Sequence, residues 1–147
     1  ACSRAPFYVT APKYLVDTSV LLRASIEAVG DRLEALQLAS RIGTCRVIDL
    51  ELIYSARKGD VAKLAAGRRA FPEAPVTPIV MERAFTVAEL LAERGQHRGA
   101  KPTDLVIAAA AEVQDLIVLH YDSDYDRIAG VTGQGAEWIA ERGTLPH

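Results

Sequence analysis

The sequence predicts an α/β fold in which a mainly parallel sheet is covered by helices on both faces. Two short runs, residues 14–16 and 116–120, are apolar and partly β-branched, as expected for strands buried on both sides. Helical patterns separate the predicted strands, and this alternation is typical of parallel sheets. Each run is also followed by carboxylates, which places Asp17 and Asp122 at the edge of the sheet where open α/β folds bind ligands.

The other elements follow from periodicity and from residues that begin or end helices. The first half of the chain predicts, in order, helices over 20–25 and 31–42, a strand over 45–48, and helices over 50–57 and 60–70. Gly43 is expected to end the second of these helices, and Asp49 and Asp60 are expected to cap the last two. This assignment puts Glu51 in the first turn of its helix.

The second half of the chain contains the most apolar helix. In order, it predicts a strand near 76–80, helices over 81–94 and 103–114, the strand 116–120, a helical turn over 126–129 and an edge strand over 136–139. The helix over 103–114 is apolar nearly all round and should be buried, with Asp104 at its N-terminus. The inward face of the helix over 81–94 is expected to carry Phe85, Ala88, Leu91 and Ala92.

Composition indicates an ordinary globular chain. Its 147 residues, half of them apolar, suit one domain, predicted over 13–142, with an N-terminal extension (native or left by cloning) at 1–12 and a tail at 143–147. The formal net charge of -2 gives no global attraction to nucleic acid or to membranes, so binding of either would need local patches. Two cysteines without a CxxC motif are compatible with the cytoplasm, and no apolar run is long enough to span a bilayer.

Carboxylates recur at comparable places in the predicted fold, after strands or in first turns of helices. They are Asp17, Glu51, Asp104, Asp122 and Asp124. Because these places share one rim of a parallel sheet, the carboxylates can converge although they are far apart in sequence. Like charges at short range disfavour ionisation, and a hard cation such as Mg²⁺ relieves that repulsion and supports phosphodiester hydrolysis. The alternative is that these residues only cap helices and complement helix dipoles.

Four motifs carry a resemblance to a known family. They are VDTS (16–19), ELIYSAR (51–57), PTDLVIAA (102–109) and VLHYDSDYDRIA (118–129). In this order they resemble the acidic motifs of PIN-domain nucleases, and in detail those of the VapC toxins of bacterial toxin–antitoxin pairs. The resemblance implies a three-layer α/β/α sandwich, an endoribonuclease dependent on Mg²⁺ or Mn²⁺, a homodimer and inhibition by a cognate VapB-like antitoxin.

The same resemblance assigns roles to residues. It implies that Asp17, Glu51, Asp104 and Asp122 are catalytic, and that Asp17, Asp104, Asp122 and Asp124 hold the metal. Thr18 or Ser19 matches the small polar position that orients the first aspartate or a water molecule. Asp49 and Asp126 lie outside the core pattern, and we expect cap or surface roles for them.

Two basic runs are expected to border the acidic pocket. Within them, the candidates for contact with RNA phosphates are Arg68, Arg69, Arg98 and Lys101, and the alternative is a solvated helix face. His120 is expected to be an end-of-strand residue, since Mg²⁺ prefers oxygen ligands. Tyr54, Phe85 and Trp138 are interpreted as core or interface residues.

Three other functions compete with a ribonuclease. An aspartyl-phosphate phosphotransferase also begins on a strand that ends in aspartate, but it typically needs a second aspartate where this chain has Ser19. A structure-specific DNA nuclease shares the acidic geometry, but the chain lacks the length for large DNA-clamping insertions. A metal-binding interaction module without turnover also fits, because sequence alone does not show turnover.

Overall fold

The structure, a computed structural model, describes residues 11–146. Within that range there are four strands: β1 (Tyr14–Val16), β2 (Ile42–Gly43), β3 (Ile117–His120) and β4 (Ala136–Trp138). A 3₁₀ turn (Lys58–Asp60) and seven helices accompany them: α1 (Thr18–Leu21), α2 (Glu27–Leu38), α3 (Arg46–Ser55), α4 (Val61–Arg69), α5 (Pro78–Glu93), α6 (Pro102–Val113) and α7 (Asp124–Thr132). The predicted extension at 1–12 therefore lies mostly outside the described residues.

All strand pairs are parallel, and the sheet has the order β2–β1–β3–β4. In the central pair, Leu15 lies opposite Val118 and Val16 opposite Leu119. Alternate residues of these strands enter two separate cores: Leu15 and Val118 pack with α3 and α5–α7, whereas Val16 and Leu119 pack with α1 and α2. The prediction of an α/β fold with three layers is confirmed.

The second strand lies earlier in the chain than predicted. Ile42 and Gly43 pair with β1, so Gly43 belongs to a strand and does not end a helix. The predicted strand over 45–48 is wrong: Cys45 precedes α3 in extended conformation, and Ile48 is buried on one face of that helix. A strand of two residues is too short to show a periodicity, which explains the error. Because α3 begins at Arg46, Glu51 lies in its second turn.

The predicted strand near 76–80 is also wrong. Thr77 accepts a hydrogen bond from the amide of Val80 (3.3 Å), and Pro78 occupies the first position of α5, where a missing N–H costs nothing. The buried face of α5 consists of Val80, Ala84, Val87 and Leu91. Phe85, predicted to face inward, is 65% exposed, and Ala92 is exposed as well. Tyr54 is 92% exposed, so it is not a core residue either.

The region that frames the acidic motifs agrees with the prediction. Helix α6 is buried along most of its length, and β3 is buried from Val118 to His120. The apolar sequences of both elements predict this burial. Helix α7 is longer than the predicted turn and begins at Asp124. Among the described residues, no helix is long and apolar enough to cross a membrane.

Candidate active site

Asp17 lies at the carboxyl end of β1 and is 3% exposed. Its amide donates to the carbonyl of Leu119 (2.9 Å), which extends the pairing of β1 with β3 to this residue. One carboxylate oxygen accepts from the amide of Ser19 (3.0 Å) and caps α1. The other accepts from the Tyr125 hydroxyl (2.7 Å). Capping therefore occupies one oxygen, while the second points to the acidic residues of α6 and α7.

Asp104 lies in the first turn of α6 and is 2% exposed. Its Oδ1 is 3.3 Å from the Tyr125 hydroxyl, so this phenol lies between Asp104 and Asp17. A hydroxyl has one proton to donate, and the shorter contact assigns that proton to Asp17. Burial, and after it the charge of Asp17, raises the pKa of Asp104 to about 7.

Asp122, in the loop that follows β3, and Asp124, the first residue of α7, complete the acidic set. Carboxylate oxygens of Asp104, Asp122 and Asp124 all lie within 4.8 Å of one another. The ammonium of Lys101 lies among them, 3.0 Å from Asp122, 3.0 Å from Asp124 and 3.2 Å from Asp104. We call these four residues together with Asp17 the acidic cluster.

The charge of the acidic cluster is unbalanced. Burial acts to lower the pKa of Lys101, but the hydrogen bonds to Asp122 and Asp124 and the charge of Asp104 hold it well above its usual value. Burial acts to raise the pKa of Asp124, yet hydrogen bonds from Lys101 hold it below its usual value. Burial and the charges of Asp17 and Asp104 raise the pKa of Tyr125 well above its usual value, so this residue stays a neutral donor. One lysine thus faces several carboxylates.

The donor set fits a hard divalent cation. Mg²⁺ and Mn²⁺ prefer oxygen ligands, and three carboxylates converge here on a volume that an ammonium already fills. The Oδ2 atom of Asp104 is buried, and it faces the ammonium of Lys101 at 3.2 Å. Because the side chain of Lys101 is 58% exposed, it can turn outward when a cation takes its place. Asp104, Asp122 and Asp124 are therefore the residues that would hold the cation, with Asp17 beside them.

The predicted supporting residues connect neighbouring segments. The Thr18 hydroxyl donates to Glu51 (2.9 Å), which ties α3 to the end of β1. The Ser19 hydroxyl accepts from the amide of Tyr121 (2.9 Å) and joins α1 to the loop after β3. The Glu51 carboxylate is not part of the close group of three aspartates. Its hydrogen bond from Thr18 connects it to the end of β1.

His120 is fully buried at the end of β3, as predicted for an end-of-strand residue. Its Nδ1 accepts a hydrogen bond from the amide of Asp122 (3.2 Å), which helps to hold the acidic loop. Burial lowers the pKa of His120, so the ring is neutral and its proton lies on Nε2. The exposed Asp126 accepts from the indole of Trp138 (3.1 Å), consistent with a surface role.

Arg68, predicted to contact RNA, has a different environment. It is 7% exposed, its Nε donates to Asp49 (2.9 Å) and its Nη2 donates to Thr44 (2.8 Å). Asp49 also accepts from Thr44 (2.7 Å) and from Arg46 (2.6 Å), so both of its oxygens are paired. We call Thr44, Arg46, Asp49 and Arg68 the Asp49 cluster. The RNA contact predicted for Arg68 is wrong, because its guanidinium is buried and paired. The cap predicted for Asp49 is wrong, because α3 begins three residues earlier, at Arg46.

The other predicted basic residues separate into two kinds. Arg69 and Arg98 are exposed, as a contact with a polyanion requires. Lys101 is bound by the acidic cluster, so the structure first gives it the role of a counter-ion. Sequence reasoning missed this role, and it missed Tyr125, because a lysine three residues before an aspartate and a tyrosine between two aspartates carry no distinctive pattern.

The sequence profile of the PIN domain matches residues 14–131. The chain therefore belongs to the PIN-domain family, in agreement with the resemblance drawn from its four motifs. It is similar to Ribonuclease VapC51 of Mycobacterium tuberculosis (strain ATCC 25618 / H37Rv), with 45% identity over 136 residues, which cover 92% of this chain and 98% of that protein.

Solved structures show the same likeness. One is a member of the VapBC family of toxin–antitoxin systems, VapBC-5 from Mycobacterium tuberculosis, with 27% identity, a TM-score of 0.57 and coverage of 89% of this chain and 98% of that one. A second, DNA-bound VapBC from Salmonella typhimurium, has 20% identity and a TM-score of 0.73 over 88% of this chain and 99% of that one. The second likeness shows the fold alone.

Proposed function

We propose that the chain is a divalent-cation-dependent endoribonuclease and acts as the toxin of a toxin–antitoxin pair. The observation that carries the proposal is the group of three aspartates whose oxygens lie within 4.8 Å of one another at the carboxyl edge of the sheet. Asp17 adjoins this group through Tyr125. The ribonuclease name of its VapC relatives supports RNA as the substrate.

Each residue of the site has a distinct role in the proposed reaction. Asp104, Asp122 and Asp124 bind the cation, and Asp17 is held beside them by hydrogen bonds from Tyr125 and from the amide of Ser19. When bound, a cation such as Mg²⁺ or Mn²⁺ lowers the pKa of a water molecule and neutralises phosphate oxygens. The Thr18 hydroxyl holds the Glu51 carboxylate near the end of β1 by the hydrogen bond that it donates. The buried floor of this region excludes bulk water from one side of the site.

Incubation of the purified chain with labelled RNA and DNA, each with Mg²⁺, Mn²⁺ or EDTA, tests the activity. We expect RNA cleavage with either cation and none with EDTA. Cleavage of DNA alone would favour the structure-specific DNA nuclease, and cation binding without cleavage would favour the interaction module. A covalent phosphoryl-aspartate would favour the phosphotransferase, although Ser19 accepts from Tyr121 where that class needs a carboxylate.

A matched pair of variants makes this test specific. Asp122→Asn removes one charge from the acidic cluster and should abolish cleavage. Asp31→Asn removes one charge from the exposed surface of α2 and should leave cleavage unchanged. Equal activity of the two variants would contradict the assignment of the site.

The proposed antitoxin needs a docking surface. A groove of about 730 Å³ lies between α1, α2 and α4, and its apolar lining includes Leu21, Ala24, Leu33, Leu64 and Phe71. We propose that a segment of a VapB-like antitoxin occupies it, in keeping with the toxin–antitoxin complex among the structural relatives. Co-expression with the small protein encoded beside the chain should give an inactive complex. Leu64→Glu should keep RNA cleavage but escape inhibition, whereas Leu38→Glu, on an exposed apolar residue outside the groove, should not.

Three further predictions remain open to test. We propose a homodimer, a cytoplasmic location and a single nuclease domain over 13–142, within which the family match and the four strands fall. Light scattering of the isolated chain measures its oligomeric state, and fractionation of the native cell locates it.

A further inference from the structure

A second cavity adjoins the acidic cluster. It measures about 350 Å³, and Asp122, one of the proposed cation ligands, forms part of its wall. Its other lining residues include Arg23, Tyr121, Ser123, Trp138 and Arg142. We call this cavity the arginine pocket. A ligand in it would lie directly beside the proposed reaction centre.

Arg23 is held in place by its neighbours. Its Nη1 donates to the carbonyl of Ser19 (2.6 Å), and its guanidinium carbon lies 4.7 Å from the centroid of the Tyr121 ring. The same Tyr121 is anchored by its amide to the Ser19 hydroxyl (2.9 Å). The guanidinium therefore has a fixed place next to the loop that carries Asp122.

Arg142 forms the other charged side of the pocket. Its guanidinium carbon lies 5.8 Å from the centroid of the Trp138 ring, and its side chain is exposed. Trp138 meets Tyr121 edge-on, with 5.3 Å between the ring centroids. The pocket thus combines two guanidinium groups with two aromatic rings that contact each other.

The charge of these arginines is not neutralised by the protein. In the described part of the chain, neither Arg23 nor Arg142 forms an ion pair with a carboxylate. By contrast, Lys101, which belongs to the acidic cluster, and Arg127, which contacts it, are paired with its aspartates. An acidic site repels a polyanion, so free cations beside it are needed to hold the substrate.

We propose that the arginine pocket binds the nucleotide of single-stranded RNA that adjoins the phosphate to be cleaved. Guanidinium groups bind phosphate through paired hydrogen bonds, and bases stack on aromatic rings and on guanidinium planes. The volume lies near the lower end of the range of roughly 300–1,000 Å³ for ligand pockets, which suits one nucleotide better than a duplex. This inference rests on the proposed ribonuclease function and extends it to substrate recognition.

RNA binding and RNA cleavage are measured separately to test the proposal. Binding of a labelled single-stranded RNA is followed by fluorescence anisotropy in EDTA, where cleavage is absent, at several salt concentrations. We expect Arg23→Gln and Arg142→Gln each to weaken binding several-fold and to reduce the slope of log K against log salt by about 0.7, the value for one phosphate contact on a single strand. In Mg²⁺, the same variants should raise KM with little change in kcat.

Two further variants serve as controls. Lys13→Gln removes a positive charge just before β1, at the opposite edge of the sheet, and should leave affinity and salt slope unchanged. Arg142→Lys keeps the charge but loses the planar fork, so it should retain the salt slope and lose part of the affinity. Because Arg142 is exposed, its variants test the pocket even if Arg23→Gln fails to fold.

The outcomes separate this proposal from the proposed function. If both arginine variants bind RNA as Lys13→Gln does while the wild type cleaves RNA, the pocket proposal is overturned and the ribonuclease function stands. If the wild type neither binds nor cleaves RNA, both are overturned. If the arginine variants lose affinity and salt slope and the Lys13 variant does not, the pocket proposal holds.

Discussion

The acidic cluster and the Asp49 cluster both bury aspartates at the start of helices, but they balance charge differently. In the Asp49 cluster, one carboxylate meets two arginines and a threonine hydroxyl. In the acidic cluster, three of the four carboxylates share the ammonium of Lys101, and Asp124 has one further contact with Arg127. A buried carboxylate that is fully paired is costly to deprive of a partner, whereas a group with excess negative charge is prepared for a cation from outside.

Breaking the Asp49 cluster should have the largest effect on stability. Arg68→Met leaves Asp49 buried with Arg46 as its one remaining cation, and removal of one partner of a buried pair costs about 3–5 kcal/mol. Because Arg46 still pairs with Asp49, we expect a loss of about 3 kcal/mol in the free energy of unfolding. Urea denaturation in EDTA measures it. A loss of cation affinity in the folded variant would contradict the purely structural role of this cluster.

Asp104→Asn should reduce activity strongly and stability little, which is the reverse of the effect expected for Arg68→Met. Loss of a proposed cation ligand should reduce RNA cleavage by more than ~100-fold, beyond the range for residues that only orient ligands. The same change removes a charge from a crowded site, so the fold should remain intact. Cleavage at saturating RNA and Mg²⁺, compared with Asp31→Asn, checks this, and near-wild-type turnover would contradict the site.

The raised pKa of Asp104 adds a pH dependence to the metal-free protein. Folding raises this pKa from its ordinary value to about 7, so between these values the folded state binds more protons than the unfolded state. The contribution of Asp104 to stability is therefore retained at low pH and lost as the pH rises toward 7. Unfolding in EDTA at pH 5 and pH 8 should show that Asp104→Asn loses less stability over this interval than the wild type does.

Tyr125→Phe should affect both stability and activity by moderate amounts. It removes the hydroxyl that donates to Asp17 and leaves one buried oxygen of that carboxylate unpaired. We expect a loss of about 1–3 kcal/mol in the free energy of unfolding and a roughly 10-fold fall in cleavage, as for a residue that orients a ligand. Tyr14→Phe, which removes a tyrosine hydroxyl at the amino end of β1, is the matched control and should cleave at the wild-type rate.

Lys101→Met should have the smallest effect, and in the opposite direction. The ammonium and a divalent cation compete for the same three carboxylates, but the lysine side chain is 58% exposed, so its pairing is weak. We expect Mn²⁺ affinity to rise by about two- to fivefold. Weaker Mn²⁺ binding by this variant would show that Lys101 holds the ligands in place instead of competing for them.

The acidic set was predictable because it depends on order along the chain. The carboxyl ends of parallel strands and the starts of the following helices share one rim, so sequence order alone is enough to group Asp17, Asp104 and Asp122. Spacing also indicated Glu51, although its helix begins earlier than predicted and its link to the site runs through Thr18.

The balance of charge was not predictable in the same way. Asp49 and Asp104 both lie in first turns of helices, and the sequence does not show that Arg68, nineteen residues after Asp49, turns inward to pair with it. In the same way, residues 45–48 carry the β-branched pattern of a strand. The residues that pair with β1 are instead Ile42 and Gly43, and α3 begins at Arg46. These outcomes depend on tertiary packing, which local patterns do not encode.

Calorimetric titration of Mn²⁺ into the metal-free chain tests most directly whether the acidic cluster binds a cation. Wild type and Asp31→Asn should bind Mn²⁺ saturably and with equal affinity, because the exposed Asp31 lies outside the cluster. Asp104→Asn and Asp122→Asn, each folded as judged by urea denaturation, should lose this binding. Saturable binding that survives both substitutions would contradict the assignment of the cation to these carboxylates.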